Sequence, residues 1–380
     1  MKNSPKSKTK SRFSRLTRRE FLETSFLTAA GLAAGSLPLG ALGRTKGAPG
    51  TAPGAGKPVV SIVRIKNDDI GYAVEKAIDL LGGIKNVTQG KQRIILKPNL
   101  VSPSPAATTK PVVIETLARL MKKAGKDVLI GEGSAAAPPF NVRGSEICRT
   151  NKREILDAMQ QSVFDTLGYT RLASSLGVPL INLHSGEMVE VEVPNAFVFG
   201  KLTIHRTLAD IDLLCSVPMM KTHQLAQVTL GMKNLVGLYP GTVYYAVRGL
   251  MHDRASEVEP SGTASAIVDM VRANKLGLVV VDGSMAMEGN GPSNGTLVKM
   301  DLIIAGTNPL AADMIAAKCM GFTPEEVPTF QWANKAGLMP ARLSEIEIRG
   351  ETPEQVGRAF VRPQVYAWKD IKNVWGAKII

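Results

Sequence analysis

Short apolar runs separated by stretches of helical periodicity constrain this chain more than any other feature. VVSIVRI, RIILKPNLV, DVLIGEGS, IDLLCSVPM, LGLVVVDGS and MDLIIAGTN are rich in β-branched residues and do not alternate with polar ones. Between them lie YAVEKAIDLLGG, PVVIETLARLMKKAG, NKREILDAMQQSVFDTLG, TASAIVDMVRANK and PLAADMIAAKCMG, each with apolar residues at helical spacing. A strand that is apolar on both faces must be covered on both faces. The expectation is an α/β fold, a layered and mostly parallel sheet with helices on both faces, either in one block or as two lobes sharing a cleft. MVEVEVP alternates at period two and reads as an edge or antiparallel strand.

This pattern begins only near Val59. Residues 1–43 read instead as an address: Arg18–Arg19 in TRREFLE follow six further Lys or Arg and precede the uncharged run FLTAAGLAAGSLPLG. That run is shorter than the roughly 20 residues a bilayer crossing needs. The pattern resembles a twin-arginine signal peptide, which implies recognition by the twin-arginine translocase and a periplasmic or other extracytoplasmic location. If left uncleaved, the same segment would be a membrane anchor. Residues 44–58, RTKGAPGTAPGAGKP, are a Gly/Pro/Ala linker.

Residues 1–43 hold eight Lys or Arg against two Glu, which is +6 of the formal +13, so the remaining 337 residues carry only +7. No dense basic block with interleaved aromatics remains, so nucleic acid is not an expected partner, whereas an anionic small molecule is. Cys148, Cys215 and Cys319 are far apart with no CxxC, which argues against a protein-held iron–sulfur cluster. Cys215 and Cys319 lie in apolar patterns and read as buried free thiols; an oxidising compartment leaves one disulfide open.

In a sheet of this kind ligands bind beyond the carboxyl ends of the strands. The segments that follow the strands are polar: LKPN after RIIL, GEGS after DVLI, KTH after DLLCSVPMM, DGSMAMEGNGPSNG after LGLVVV and GTN after DLIIA. Lys97-Pro98-Asn99, Lys221-Thr222-His223, Gly231-Met232-Lys233-Asn234 and Asp282-Gly283 with Met287-Glu288-Gly289-Asn290-Gly291-Pro292 resemble the recurring motifs of the DUF362 family. The resemblance spans about residues 59–330 and leaves 331–380 as a C-terminal extension packing on that domain. Some members carry a cysteine-rich ferredoxin-like segment, which this chain lacks.

The segment VPMMKTHQLAQVTLGMKNLVG suggests a strand stopped by Pro218, then a helix from His223 with Thr222 as N-cap and Gly231 as breaker. Such a break would fold Lys233 and Asn234 back toward the strand ends. Lys221 and Lys233 would then meet an anion, with His223 exchanging a proton near neutral pH. The same residues also suit a capped core helix with solvated lysines.

In DGSMAMEGNGPSNG, Asp282 ends an apolar strand and Glu288 sits among glycines whose N–H groups can cradle oxygens. This predicts a ligand-binding loop at Gly289, Asn290 and Gly291, with Asp282 and Glu288 holding a divalent cation or, for Glu288, acting in catalysis; alternatively both acids cap turns. Lys97, Asn99, Lys233 and Asn234 complete the expected ligand-binding set, and Lys221, His223 and Glu288 the catalytic one.

Other features carry less. GEGSAA fits a dinucleotide fingerprint only until Pro138 and Pro139 interrupt it, and His252 is a candidate partner of His223 on a metal. His184 and His205 stand without a motif, and Asp313 is equally suited to the cleft or to a lysine. No serine-hydrolase elbow or HExxH is present. The sequence points to an exported protein that binds an anionic small molecule and catalyses proton transfer or hydrolysis. A non-catalytic solute-binding or cofactor-delivery protein would use the same cleft.

Overall fold

Ile94, Leu96, Val128 and Ile130 pack into one apolar cluster while Ile95 and Leu129 pack into a second, on the opposite face of the same strands. Leu278 and Val280 alternate in the same way with Val279 and Val281. Successive side chains of a strand point to opposite faces, so two cores explain why the apolar runs are continuous. The computed structural model describes residues 56–144 and 146–380, which belong to one compact unit. The twin-arginine pattern and most of the linker lie outside the described residues.

The strands in chain order are β1 (Val59–Arg64), β2 (Arg93–Pro98), β3 (Asp127–Glu132), β4 (Val142–Arg143), β5 (Glu146–Arg149), β6 (Leu180–Asn182), β7 (Met188–Glu192) and β8 (Lys201–His205). They continue with β9 (Leu213–Val217), β10 (Met219–His223), β11 (Gln227–Thr229), β12 (Leu276–Glu288), β13 (Thr296–Val298), β14 (Leu302–Gly306), β15 (Glu347–Gly350) and β16 (Trp375–Ile379). The main sheet has 11 strands, with β15-β1-β14-β12-β9-β2-β3-β6 in order and β10, β11 and β13 attached beside β12. It is mostly parallel; β14 runs antiparallel to both β1 and β12. MVEVEVP supplies β7, which pairs antiparallel with β8 in a separate two-stranded sheet.

The helix Pro111–Lys123 buries Val113, Ile114 and Leu117 on one face of the sheet. The helices Ala264–Ala273 and Pro309–Cys319 bury Ile267, Met270 and Met314 on the other. The chain runs outward from β2 through β3 to β6, then returns to β9 on the other flank of β2. That reversal makes the carboxyl ends of β2 and β9 the topological switch point, where such sheets open a crevice.

Two local readings are corrected. No helix starts at His223: Lys221-Thr222-His223 is the second half of β10, paired antiparallel with β11 through Lys221↔Thr229 and His223↔Gln227. Three residues are too few to separate a period of 2 from one of 3.6, and cross-strand bonds decided it. Accordingly Gly231 begins the short helix Gly231–Asn234 instead of breaking one. Likewise DGSMAME is not a loop but the continuation of β12, held by β10, β13 and β14.

The C-terminal extension is woven into the fold. β15 joins the main sheet parallel to β1, and β16 pairs with β5 to make a three-stranded sheet with β4. Cys148, Cys215 and Cys319 are all buried free thiols, on β5, β9 and a helix respectively. Burial pushes the Cys215 thiol up and that of Cys319 up to about 12, so neither is a ready thiolate.

Candidate functional site

A cavity of about 250 Å³ lies at the switch point, lined by Lys97, Asn99, Lys221, His223, Lys233 and Asn234 together with Glu132, Arg248 and His252. Seven of the residues singled out by sequence, His252 among them, therefore share one site. β2 delivers Lys97 and Asn99, and β10 delivers Lys221 and His223 on one face because they are two apart. Thr222, on the opposite face, donates to the Gly289 carbonyl at 2.8 Å.

Lys97 is fully buried and anchors the floor. Its Nζ lies 2.8 Å from Glu132 Oε1 and donates to Glu132 Oε2 at 2.9 Å and Asn234 Oδ1 at 3.0 Å. Asn234 is fixed from both ends, since its Nδ2 donates to the Lys97 carbonyl and to Ser216 Oγ, each at 3.1 Å. Asn99 Nδ2 donates to the same Asn234 Oδ1 at 3.2 Å. A Cβ on Gly237 would crowd Glu132 Oε1 and sit 2.8 Å from Lys97 Nζ, so the residue closing GMKNLVG must be glycine for this pair to form.

The helix that carries Lys233 and Asn234 is only four residues long and is held by Asp313, whose two oxygens accept from Gly231 N at 2.7 Å and Met232 N at 2.8 Å. Asp313 thus meets neither the cavity nor a lysine. Burial pushes its carboxyl up to about 7 against the lowering effect of those two bonds.

Around the ion pair the charges are lopsided. Burial first, then Lys233 as a like charge, brings Lys221 down to about 7; burial, Lys97 and Arg248 bring Lys233 down to about 7 as well. Lys221 Nζ donates to the Ala107 carbonyl at 2.7 Å. Arg248, brought down to about 10 by burial, spends its guanidinium on backbone carbonyls: Ser134 at 2.8 Å, Gly237 at 3.1 Å, Val236 at 3.2 Å, and Gly133. Among the described residues Glu132 is the only carboxylate in the lining.

The histidines differ from the expected proton carrier. His223 Nδ1 accepts from Leu225 N at 3.0 Å, so the neutral ring bears its proton on Nε2. Burial, Lys233 and Lys221 hold its pKa well below the usual range, so at neutral pH it is a fixed donor and the lysines are the groups that titrate. His252 stacks on Trp368 with centroids 4.5 Å apart, its Nδ1 lies 2.8 Å from the Gly262 carbonyl, and burial brings it down to about 3. His184 is buried with Nδ1 accepting from Gly241 N, and His205 Nδ1 caps the helix at Thr207.

The second motif stands outside this lining. Asp282 accepts from Lys110 N at 2.8 Å and Ser284 Oγ at 2.6 Å. Glu288 accepts from Arg358 Nη2 at 3.2 Å and Val361 N at 3.0 Å. Their oxygens are engaged by different protein donors, and among the described residues no three His, Cys, Asp or Glu cluster as a metal site. The expected cation pair, Asp282 and Glu288, is thus not brought together with Lys221 and His223 in this cavity. The expected cradle at Gly289, Asn290 and Gly291 is also spent internally: Gly289 N donates to Val361 O, Gly291 N to Gly289 O, and Asn290 Oδ1 accepts from Gln364 N. This loop fastens the C-terminal segment, and only the residues just after it, Pro292, Ser293 and Asn294, reach the cavity.

Two cavity residues escaped the sequence reading. Glu132 had a signal, an acid ending the strand next to the one that ends in Lys97; Arg248, in left-handed backbone at φ 58°, had none. The far wall is apolar, formed by Val236, Val247, Ile147 of β5 and Trp375 of β16.

Residues 94–318 match the family described as Domain of unknown function (DUF362). The chain belongs to the DUF362 family. The matched region of this DUF362 protein contains every polar residue of the cavity floor but not the wall residue Trp375. It is 25% identical over 287 residues to the thylakoid-associated protein sll1697 of Synechocystis sp. (strain ATCC 27184 / PCC 6803 / Kazusa), covering 74% of this chain and 80% of that one. Among solved structures it is similar to the lactate racemase apoprotein from Thermoanaerobacterium thermosaccharolyticum, at 16% identity and a TM-score of 0.40. That match covers 66% of this chain and 54% of the other, so the chain spans about half its length.

Proposed function

We propose that the cavity binds a small organic anion and that Lys221 and Lys233 move protons on it. The observation that carries this reading is the convergence of Lys97, Lys221, Lys233 and Arg248 on one cavity in which Glu132 is the lone carboxylate among the described residues. Burying like charges without partners is costly, and an anion relieves that cost. Asn99 Oδ1 and Thr229 Oγ1, both buried in the lining, also have no hydrogen-bond partner among the described residues. Buried polar atoms are ordinarily satisfied, so both atoms favour a ligand that also offers donors.

The test is pH. An anion prefers the two lysines protonated, so its affinity is expected to be greatest below pH 7 and to fall as the pH rises through about 7. Stability of the empty protein should move the other way. Between about 7 and the ordinary lysine value of about 10.4, the unfolded chain holds protons that the folded chain has released, so these two lysines make stability rise with pH. Calorimetric titration with oxalate, malonate and phosphate, beside thermal unfolding, reads both slopes. Affinity that climbs through pH 7–9, or no anion bound at any pH, overturns the reading.

The protein works outside the cytoplasm on this reading, carried there by the twin-arginine translocase. The Arg18–Arg19 pair supports this, as does a relative described as thylakoid-associated. No helix among the described residues is long and apolar enough to cross a membrane. Replacing Arg18 and Arg19 together with lysine is expected to leave the precursor in the cytoplasm of a host with a working twin-arginine pathway. Fractionation that finds the double variant exported at the normal rate removes the proposal.

A further inference from the structure

We propose that Lys233 is an imine-forming lysine, whose amine attacks the carbonyl carbon of a small 2-oxo acid held in the cavity. This deepens the anion-binding reading and rests on it. Four cationic side chains face the cavity, and three of them are engaged by the protein. Lys97 is held by Glu132 and Asn234, Lys221 by the Ala107 carbonyl, and Arg248 by four backbone carbonyls. Lys233 alone donates to no protein acceptor among the described residues, although its helix is pinned by Asp313 through the two preceding amides. An amine with no protein partner, carried on a pinned turn and beside other cationic side chains in a cavity that also has apolar walls, is the arrangement a nucleophilic lysine requires.

The charged groups facing Lys233 are Lys97, Arg248, Lys221 and Glu132, with His223 and His252 neutral. The cations outnumber the carboxylate, which favours the free amine; its pKa of about 7 leaves roughly half of it neutral at pH 7. An ordinary exposed lysine, at about 10.4, is neutral roughly a thousandfold less often.

In the step itself, the Lys233 nitrogen lone pair forms a bond to the carbonyl carbon while the carbonyl π pair moves to oxygen. A proton passes from nitrogen to that oxygen, giving a carbinolamine. Protonation of its hydroxyl by Lys221 lets it leave as water, and the C=N bond forms with nothing oxidised or reduced. One water is released per imine, and Val236, Val247 and Trp375 make a wall that resists its return. The substrate carboxylate lies toward the Lys221 ammonium and the His223 Nε2–H. A protonated imine draws electrons from the adjacent carbon, so the reaction class is C–H or C–C bond chemistry next to a carbonyl.

The test traps the imine in the full-length protein at pH 7 with glyoxylate and cyanoborohydride, with peptide mass spectrometry to locate the adduct. Lys233 is expected to be labelled at least about tenfold faster than the exposed Lys85, a small part of its advantage in free amine. Oxalate, an anion without a reactive carbonyl, should protect it. The Lys233→Arg variant should keep its thermal unfolding while losing the fast label. Labelling of Lys233 no faster than Lys85, with oxalate still bound in the cavity, overturns the imine and leaves anion binding standing. Failure of oxalate to bind overturns both.

Discussion

Replacing Glu132 with alanine is expected to destabilise the fold by about 3–5 kcal/mol, the cost of stripping one partner from a buried ion pair. Glu132 is 2% exposed and accepts three hydrogen bonds, from Lys97 Nζ, from Leu100 N at 2.9 Å and from Gly133 N at 2.7 Å, with Lys97 Nζ also 2.8 Å from its second oxygen. Without it Lys97 stays buried among Lys221, Lys233 and Arg248 with no counter-charge. Burial already presses the Lys97 pKa down, with Glu132 the main group opposing it. The double variant Lys97→Met with Glu132→Leu should recover much of the loss, because an apolar pair of similar volume carries no uncompensated charge. Urea unfolding of the two single variants and the double gives the coupling directly. A loss below about 1 kcal/mol for Glu132→Ala would make the pair equivalent to a surface bridge and not the floor of the cavity.

The second large effect is expected at Asp313, which no part of the cavity touches. Among the described residues its carboxylate is the only acceptor for Gly231 N and Met232 N, so Asp313→Ala leaves two buried donors unpaired, at roughly 1–3 kcal/mol each. The same change frees the turn that aims Lys233, so anion affinity should fall at least tenfold although no ligand contact is removed. The pH dependence carries a matching sign. With a folded pKa of about 7 against an ordinary value of about 3.9, folded Asp313 holds a proton that the unfolded chain has lost over that window. Stability therefore falls with rising pH between about 4 and 7 in the wild type, and this part of the slope should vanish in Asp313→Ala. A variant that binds oxalate normally would show that Lys233 is placed by other contacts.

Much of the fold could be read along the chain because burial on both faces leaves a local record. IIL, VLI, LLC, LVVV and LIIA each became part of a core strand, since no polar residue in those runs marks a solvent face. The cavity floor was legible for a related reason: LKPN, KTH and GMKN lie at or just after the carboxyl ends of strands, and strand ends gather on one edge. The acids of DGSMAMEGNGP were not. The partners of Glu288 are Arg358 and Val361, and beside its neighbour Ser284 Asp282 accepts from Lys110, these three being separated in sequence by 70, 73 and 172 residues. A carboxylate reads the same in sequence whether it awaits a cation or already accepts two amides.

The sequence by itself thus determined which segments are the core strands and the long helices, that the sheet is buried on both faces, and which lysines and asparagines stand at its carboxyl edge. These follow from side-chain periodicity and from polar residues placed directly after apolar runs, both of which are local. Only the tertiary structure decided that His223 lies on a strand and is a neutral donor, that Glu132 pairs with Lys97, that Arg248 clamps the surrounding carbonyls, and that Asp282 and Glu288 are already satisfied. Each of those depends on a hydrogen bond or on desolvation supplied by a distant segment, and free energies of that kind exist only after the chain has closed on itself.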